Sequence, residues 1–292
     1  NSFDGDGIVT TNLGFFDVAR AVAIQKDGKI AVAGDASLPT PGSPLLRRSF
    51  ILLRYNTDGS LDNTFSEDGI VTTYIGGSND EATSITIQED DKIVIAGTVI
   101  NPSEGDFSDI ALARYNTDGS LDLSFDGDGI RIEDIGNSVE SPTSLAIQED
   151  GKIVLTGYSF IANNYDFILL RYNTNGALDN SFGENGLVTT DFGADDQANA
   201  SVIDNNRLYV AGISSSFIDR GILAAYELGC VEQVFYRDRD KDGYGDPHHQ
   251  RTGCSQPDGY VANDKDCNDR NAAIHPGAKE ICGNNRDENC DG

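Results

Sequence analysis

The chain has 292 residues, of which 48 are Asp or Glu and 21 are Lys or Arg, so its formal net charge is −27 at pH 7. This charge argues against nucleic acid and anionic membranes as partners, because both select for Lys and Arg. No apolar run approaches the roughly 18 residues of a membrane-spanning helix, and no membrane insertion is expected.

Three sequence signatures recur at intervals of about 60 residues. The most regular one is RYNTDGSLD at residues 54–62 and 114–122, which returns as RYNTNGALD at 171–179. A segment of the type AIQKDGKIAVAG precedes each copy, and one of the type FSEDGIVTT follows it. A degenerate fourth copy covers residues 198–228. The chain opens at residues 3–11 with FDGDGIVTT, the end of a unit, which predicts a processed mature form or a fragment.

Each unit contains four short apolar stretches separated by Asp-Gly, Asn-Gly or other polar turns. The stretches are rich in β-branched residues, which favour strands, and the turn dipeptides supply the positive φ angles of tight reversals. Four strands per repeat at this period predict an all-β fold built from the blades of a β-propeller.

Two arrangements of the blades are open. In the first, the N-terminal strand at residues 7–11 completes the fourth unit and closes a four-bladed ring, which removes exposed sheet edges. In the second, further blades precede this chain and the ring is larger. In either case we expect a propeller domain over residues 1–229 and a separate module over residues 230–292.

The repeats resemble the delta-60 repeat family, a group of extracellular bacterial β-propeller-like repeats. The resemblance covers roughly residues 1–228 and depends on the DGKI, RYN-T-[DN]-G and F-x-x-[DN]-G motifs. It implies the fold and no particular ligand. Similar proteins are exported by Bacteroidota-type secretion systems, which implies a secreted or cell-surface protein of a Gram-negative bacterium.

Two features of the repeats invite a functional interpretation. The recurring Arg54, Arg114 and Arg171 could form a ring that binds anions, but we favour a role in tying neighbouring blades together. The segments at 35–49, 98–109, 158–166 and 213–220 differ between repeats and are predicted to be variable loops on one face. Such a face is often the binding face, so an extracellular protein or glycan ligand is expected there.

The run DRDKDGYGD at residues 238–246 has the spacing of a calcium loop. Such a loop supplies oxygens from positions 1, 3, 5, 7 and 9, with a glycine at position 6 for the sharp turn. The spacing predicts as ligands Asp238, Asp240, Asp242, the backbone carbonyl of Tyr244, and Asp246. Position 12 is His249 rather than Glu, which argues against an EF-hand. The alternative is an acidic, solvated turn without a metal.

Two further acidic groups lie downstream. Asp287, Asn289 and Asp291 occupy the first, third and fifth positions of a second loop. A third cluster contains Asp264, Asp266, Asn268 and Asp269, with Asp269 at a position where a calcium loop would have Gly. All three aspartates are candidate ligands, and Asp266 and Asp269 are the favoured ones, after those of the first loop.

All five cysteines lie in the last 63 residues, which indicates an extracellular module held by disulfides. None of them forms a CxxC pair of the kind that binds zinc. We predict local bridges Cys254–Cys267 and Cys282–Cys290, with Cys230 left over.

Residues 234–292 closely resemble the MopE-type metal-binding motif of secreted bacterial proteins, with a similarity to the calcium loops of thrombospondin type 3 repeats. The family label refers to copper. Copper prefers imidazole, thiolate or thioether ligands, whereas the chain offers only His248, His249 and His275, has no Met, and places carboxylates at calcium spacing. Calcium is therefore the expected metal and copper the alternative.

The repeat region has no His and no Cys before Cys230, which excludes Ser-His-Asp, Cys-His and His-ligated zinc chemistry in it. We expect a non-catalytic secreted or cell-surface protein in which a propeller serves binding or adhesion and calcium stabilises the C-terminal module. The alternatives are a carbohydrate-active enzyme that uses carboxylates, or a structural spacer in a larger surface adhesin or filament.

Overall fold

The computed structural model describes residues 3–39, 46–100, 107–136, 138–216, 218–229, 233–253, 256–281, 283–284 and 286–291. The chain divides into two compact units, Asn1–Leu228 and Gly229–Gly292. Every regular element in the described ranges is a β-strand, which confirms the all-β class. None of these ranges contains a helix that could cross a membrane.

Four consecutive antiparallel sheets form the first unit, and a single parallel pairing of Arg48 with Asn79 joins the first sheet to the second. The first sheet contains β1 (Asp17–Ile24), β2 (Ile30–Pro39), β3 (Leu46–Tyr55) and β4 (Ile70–Thr73). The second contains β5 (Asn79–Ile87), β6 (Ile93–Ile100), β7 (Ser108–Tyr115) and β8 (Ile130–Glu133). The third contains β9 (Glu140–Ile147), β10 (Ile153–Ile161), β11 (Asn164–Tyr172) and β12 (Leu187–Thr190). The fourth contains β13 (Asp195–Asp204), β14 (Arg207–Ser215) and β15 (Asp219–Glu227).

Successive sheets pack face to face. Side chains of β2 and β3, such as Phe50, share a core with Ile93 and Ile95 of β6. The opposite face of β6 packs on the third sheet, and the third sheet packs in turn on the fourth. The middle strands are therefore buried on both faces, which explains their continuous apolar runs.

The glycine that ends each DGKI-type signature is required by a β-bulge. The register of β5 against β6 shifts between Ala82 and Ser84, which brings the β5 backbone onto Gly97. A Cβ atom at Gly97 would lie 2.0 Å from the Glu81 carbonyl oxygen. Equivalent close contacts occur at Gly34, Gly157 and Gly212. Only glycine fits this backbone approach.

The recurring arginines connect neighbouring sheets, as predicted. Arg54 donates from Nε to Asp62 at 2.7 Å and from Nη1 to the Thr117 carbonyl of the second sheet at 2.7 Å. Arg114 and Arg171 repeat this arrangement one and two sheets further on. All three guanidiniums are buried, and each lies over the Phe ring of the following signature.

The structure does not confirm the predicted four-bladed closure. Within the described residues, β15 pairs only with β14, and residues 7–11 form no strand. These residues lie against the first sheet, where Thr11 Oγ1 is 2.7 Å from Tyr55 Oη. The same hydrogen bond between a Thr and a Tyr hydroxyl joins Thr73 to Tyr115 at 2.7 Å. Residues 7–11 therefore occupy, beside the first sheet, the position that β4 occupies beside the second. The opening segment thus packs beside the first sheet instead of completing the fourth.

The predicted bounds of the variable loops are wrong, because the flanking strands extend into them. In the segment 158–166, β10 continues to Ile161 and β11 begins at Asn164, leaving a two-residue turn at Ala162 and Asn163 with φ of 51° and 88°. The segments 35–49, 98–109 and 213–220 are shortened in the same way. Of the first two, residues 40–45 and 101–106 lie outside the described residues.

The second unit is small and rich in loops. Its sheet contains β16 (Gln233–Arg237), β17 (Asp246–Gly253) and β18 (Tyr260–Val261), with β16 in the centre. A disulfide joins Cys267 to Cys290 across 23 residues of sequence, with the Cα atoms 5.7 Å apart.

This disulfide shows that the predicted Cys254–Cys267 and Cys282–Cys290 pairs are wrong. The buried Glu288 folds the intervening chain back, since its carboxylate accepts hydrogen bonds from the Ile281 amide at 3.1 Å and the Asn284 side chain at 2.6 Å. A distant cysteine thereby reaches Cys267, which sequence spacing could not indicate. Cys230, Cys254 and Cys282 lie outside the described residues.

Candidate metal centre

The segment between β16 and β17 winds around the side chain of Asp238. Its carboxylate accepts hydrogen bonds from the amide of Lys241 at 2.7 Å and from the amide of Gly243 at 3.1 Å. Lys241 and Gly243 have φ of 66° and 91°, which is the left-handed conformation that a tight turn around a carboxylate requires. Asp242 fixes the exit from the turn by accepting the Tyr244 amide at 2.9 Å.

Three of the predicted ligands converge. One carboxylate oxygen from each of Asp238, Asp240 and Asp242 lies within 4.8 Å of the other two. Both carboxylate oxygens of Asp240 and the Oδ2 atom of Asp242 are buried without a hydrogen-bond partner of ordinary geometry. Oxygens on opposite sides of a calcium ion lie about 5 Å apart, because each Ca–O distance is about 2.3–2.6 Å. The three carboxylates can therefore contact one such cation.

Asp266 is close to this group. Its Oδ2 atom is also buried without a partner, and its amide is held 3.1 Å from the Gly245 carbonyl oxygen. Burial raises the pKa of Asp266, and the negative charges of Asp242 and Asp240 raise it further. The pKa of Asp240 is likewise raised by burial and by Asp242. This mutual repulsion is what a bound cation would relieve.

Asp246 and Asp269 instead face Arg237. The guanidinium of Arg237 lies 2.8 Å from Asp269 Oδ2 and 3.4 Å from Asp246 Oδ2. Asp269 also accepts the Arg239 amide at 2.6 Å, and Asp246 lies 2.5 Å from His249 Nδ1. Both carboxylates therefore have cationic partners within the protein, and their role as metal ligands stays a prediction.

The role of the Tyr244 backbone carbonyl as a ligand stays a prediction; the Tyr244 ring stacks on His275 with centroids 5.5 Å apart. Asp264 is exposed, and its role also stays a prediction. Asp287, Asn289 and Asp291 form a turn of their own, in which the Asp291 amide donates to Asp287 at 3.2 Å and the Asn289 amide group to Asp291 at 2.8 Å.

The sequence interpretation missed two acidic clusters in the repeat region: Asp109, Asp134 and Glu140, and Asp166, Asp191 and Asp196. Burial, followed by the charges of Asp109 and Asp134, raises the pKa of Glu140 to about 8. Burial raises the pKa of Asp166, and the negative charges of Asp191 and Asp196 raise it further. The signal that could have found them is an acidic residue at the same place in consecutive repeats.

Two family models match the chain in the predicted order. The repeats match the one described as "Domain of unknown function (DUF5122) beta-propeller" at residues 25–65, 88–125 and 148–182. The end of the chain matches the Cu-binding MopE model, described as "Putative metal-binding motif", at residues 266–292. The first unit is therefore a β-propeller-like repeat region, and a metal-binding type of motif follows it.

Solved structures are similar only at low identity. A protein of unknown function from Dyadobacter fermentans has 12% identity and a TM-score of 0.42 over 70% of this chain and 59% of its own. An α-L-arabinofuranosidase from Clostridium thermocellum has 13% identity and a TM-score of 0.39 over 84% and 94%. An endo-arabinase from Bacteroides thetaiotaomicron has 12% identity and a TM-score of 0.38 over 70% and 73%. The chain thus spans less than two thirds of the Dyadobacter protein. No curated protein matches the sequence.

The converging carboxylates of Asp238, Asp240 and Asp242 precede the matched segment at residues 266–292, so the copper in the family label does not identify their metal. Within the described residues of the matched segment, Cys267 and Cys290 are bonded to each other, and His275 stacks on Tyr244. The converging atoms are carboxylate oxygens, which suit calcium, magnesium or manganese rather than copper.

Proposed function

We propose that this chain is a non-catalytic, extracellular repeat scaffold whose C-terminal module, residues 230–292, binds calcium. The ligands are Asp238, Asp240 and Asp242, with Asp266 as a further acidic ligand. The observation that carries the proposal is the set of buried carboxylate oxygens in this group that have no hydrogen bond of ordinary geometry among the described residues. Such atoms are rare in folded proteins unless an ion or water satisfies them.

Calcium fits this site better than smaller cations. The cluster belongs to an irregular loop, and calcium accepts flexible coordination by six to eight oxygens. Magnesium requires near-ideal octahedral geometry at about 2.0–2.1 Å and gives up its water reluctantly. The backbone turn around Asp238 resembles the glycine-assisted turn of calcium loops, with Gly243 at the sixth position.

The stabilising role follows from the size of the second unit. It contains 64 residues, has short strands, and has few buried apolar side chains, among them Phe235 and Ile274. Domains this small bury little apolar surface and commonly depend on disulfides or metals. The Cys267–Cys290 disulfide and a calcium ion would together hold its loops, and both suit an oxidising extracellular environment.

The propeller domain, residues 1–229, supplies the rigid part of the scaffold. Its sheets are linked by buried Arg–Asp pairs, and the hairpins β2–β3, β6–β7 and β10–β11 differ in length between repeats. We place the site for an extracellular protein or glycan at these hairpin ends. Secretion or display on the surface of a Gram-negative bacterium is part of the same proposal.

Calcium binding to the full chain tests the proposal. We expect Asp240→Asn to reduce the number of calcium ions bound at equilibrium dialysis, because it removes the ligand whose two buried oxygens both lack a hydrogen bond of ordinary geometry. Asp258→Asn is the matched control, because Asp258 is exposed in the same unit and its substitution changes the charge by the same amount. Equal calcium binding by the two variants would refute the proposed site, and binding of Cu²⁺ in preference to Ca²⁺ would refute the proposed metal.

A further inference from the structure

Two acidic clusters occupy equivalent places on consecutive sheets of the propeller. The cluster of Asp109, Asp134 and Glu140 will be called the first inter-sheet cluster, and that of Asp166, Asp191 and Asp196 the second. In each, one carboxylate oxygen from every member lies within 4.8 Å of the others.

Both clusters are assembled in the same way. Asp109 belongs to β7 and Asp134 follows β8, whereas Glu140 is the first residue of β9 on the next sheet. In the second inter-sheet cluster, Asp166 belongs to β11 and Asp191 follows β12, whereas Asp196 lies in β13. Each cluster therefore spans the junction between one sheet and the next.

The deepest carboxylate of each cluster has an unsatisfied oxygen. Glu140 is 1% exposed, and its Oε1 atom accepts a hydrogen bond from Ser138 Oγ at 2.8 Å. The Ile135 amide lies near the carboxylate, but among the described residues the buried Oε2 atom has no hydrogen bond of ordinary geometry. Asp196 is 0% exposed; its Oδ2 atom accepts the Phe192 amide at 2.6 Å, and its Oδ1 atom has no partner. A buried oxygen of this kind, surrounded by other carboxylates, lacks the ion or donor that would compensate its desolvation.

At the junction between the first and second sheets, the equivalent carboxylate is satisfied by groups of the protein itself. Asp80 stands where Glu140 and Asp196 stand, but Ser49 and Tyr74 replace the other two carboxylates. The Asp80 carboxylate accepts the amides of Ile75 at 2.9 Å and Gly77 at 3.1 Å.

A protein cation is also present at this first junction. Arg47 contacts Tyr74, and its charge acts on Asp80. By contrast, no Lys or Arg in the described ranges forms an ion pair with Glu140, Asp166, Asp191 or Asp196. Arg47 thus places a positive charge near Asp80 at the first junction, although the two side chains form no ion pair.

We infer that each inter-sheet cluster binds one calcium ion, which joins the second sheet to the third and the third to the fourth. Three carboxylate oxygens would supply part of the six to eight ligands of Ca²⁺, and water or backbone carbonyls would supply the others. This goes beyond the proposed function, which places calcium in the C-terminal unit. The two ions would act as structural clamps within the propeller.

The test uses the full chain with Asp240→Asn and Asp242→Asn, so that loss of the C-terminal site cannot be confused with loss of these two. Bound calcium is counted by equilibrium dialysis with calcium alone. In this background we expect Glu140→Gln and Asp196→Asn each to lower the count by one ion per chain, and the two together to lower it by two. Asp80→Asn is the matched control at the equivalent place in the junction between the first and second sheets, and we expect it to leave the count unchanged.

Thermal melts give a second readout. With chelator, Glu140→Gln should melt at or above the temperature of the background protein, because the amide cannot ionise, whereas an ionised Glu140 would be a buried charge without a counterion. With calcium, the background protein should gain a stabilisation that the variant does not. Should the buried variants fail to fold, Asp134→Asn and Asp191→Asn change the exposed member of each cluster and should give the same losses. The inference is overturned if the background protein binds no calcium, or if these substitutions leave the count unchanged.

Discussion

The Nε atom of Arg114 donates a hydrogen bond to Asp122 Oδ2 at 2.8 Å, and both side chains are more than nine-tenths buried. The same guanidinium reaches the Thr174 carbonyl of the third sheet at 2.5 Å and lies over the Phe125 ring. One side chain therefore closes the turn of its own repeat and contacts the next. The pair recurs as Arg54–Asp62 and Arg171–Asp179, so the same buried ion pair is present in three consecutive repeats.

Replacing Arg114 by Met should lower the free energy of unfolding by about 3 kcal/mol, because it leaves Asp122 buried with a weaker counterion. Lys92, whose Nζ is 3.2 Å from Asp122, remains as that counterion. Arg207→Met is the matched control, since Arg207 pairs with Glu227 on the surface, where solvent screens the pair, and its replacement should cost far less. Urea denaturation measures both. Equal losses in the two variants would contradict a structural role for the buried pair.

The buried pairs also predict loss of stability in acid. Burial opposes ionisation of Asp122, but the hydroxyl and amide of Ser124, with Arg114 and Lys92, outweigh it and lower the pKa to about 2. The folded pKa is below the unfolded value of about 3.9, so the stabilisation is complete above pH 4 and is lost as the pH falls toward 2. The melting temperature should fall as the pH is lowered from 5 to 2.5, and Asp122→Asn should make it depend less on pH. An unchanged slope in the variant would contradict the assignment.

The repeats and the all-β class could be predicted because their signals are local, but strand pairing could not. Residues 8–11 and 70–73 share the sequence IVTT. The second copy forms β4 by pairing with β3, whereas the first forms no strand and packs beside Tyr55. The two copies differ because different segments of the chain lie beside them. The local sequence does not show which segment that will be.

The candidate metal ligands also divide into those whose convergence the local sequence predicted and those whose contacts it could not predict. Asp238, Asp240 and Asp242 lie within one turn, so their spacing was enough to predict that they converge. Asp246 and Asp269 face Arg237 through contacts that depend on the folding of the whole unit. The inter-sheet clusters draw each carboxylate from a different segment, and only the alignment of repeats would have suggested them.

Gly97 offers a test of the bulge that shapes every blade. A Cβ there would overlap the Glu81 carbonyl oxygen at 2.0 Å, so Gly97→Ala should lower the free energy of unfolding by about 3 kcal/mol or shift the β5–β6 register. Gly221→Ala is the matched control, because a Cβ at Gly221 on β15 meets nothing within 4 Å. That change should be neutral or stabilise by up to about 1 kcal/mol. If chemical denaturation gave the two alanines the same effect, the bulge would not explain the repeated glycine.

The Cys267–Cys290 disulfide should support the metal centre as well as the fold of the second unit. Cys267 follows Asp266, whose carboxylate lies close to the calcium-loop aspartates, so the bridge restricts where that carboxylate can move. Peptide mapping under non-reducing conditions should recover residues 267 and 290 in one cross-linked product. A different partner for Cys267 would contradict the pairing.

Removing the bridge by Cys267→Ser with Cys290→Ser should destabilise the second unit by about 3 kcal/mol, the expected value for a loop closed across 23 residues. The same double variant should bind calcium more weakly than the chain with Asp258→Asn, because ordering Asp266 would then oppose binding. Calcium titrations under non-reducing conditions compare the two proteins directly. An unchanged affinity in the bridge variant would mean that Asp266 is held by the backbone alone, through its amide contact with the Gly245 carbonyl.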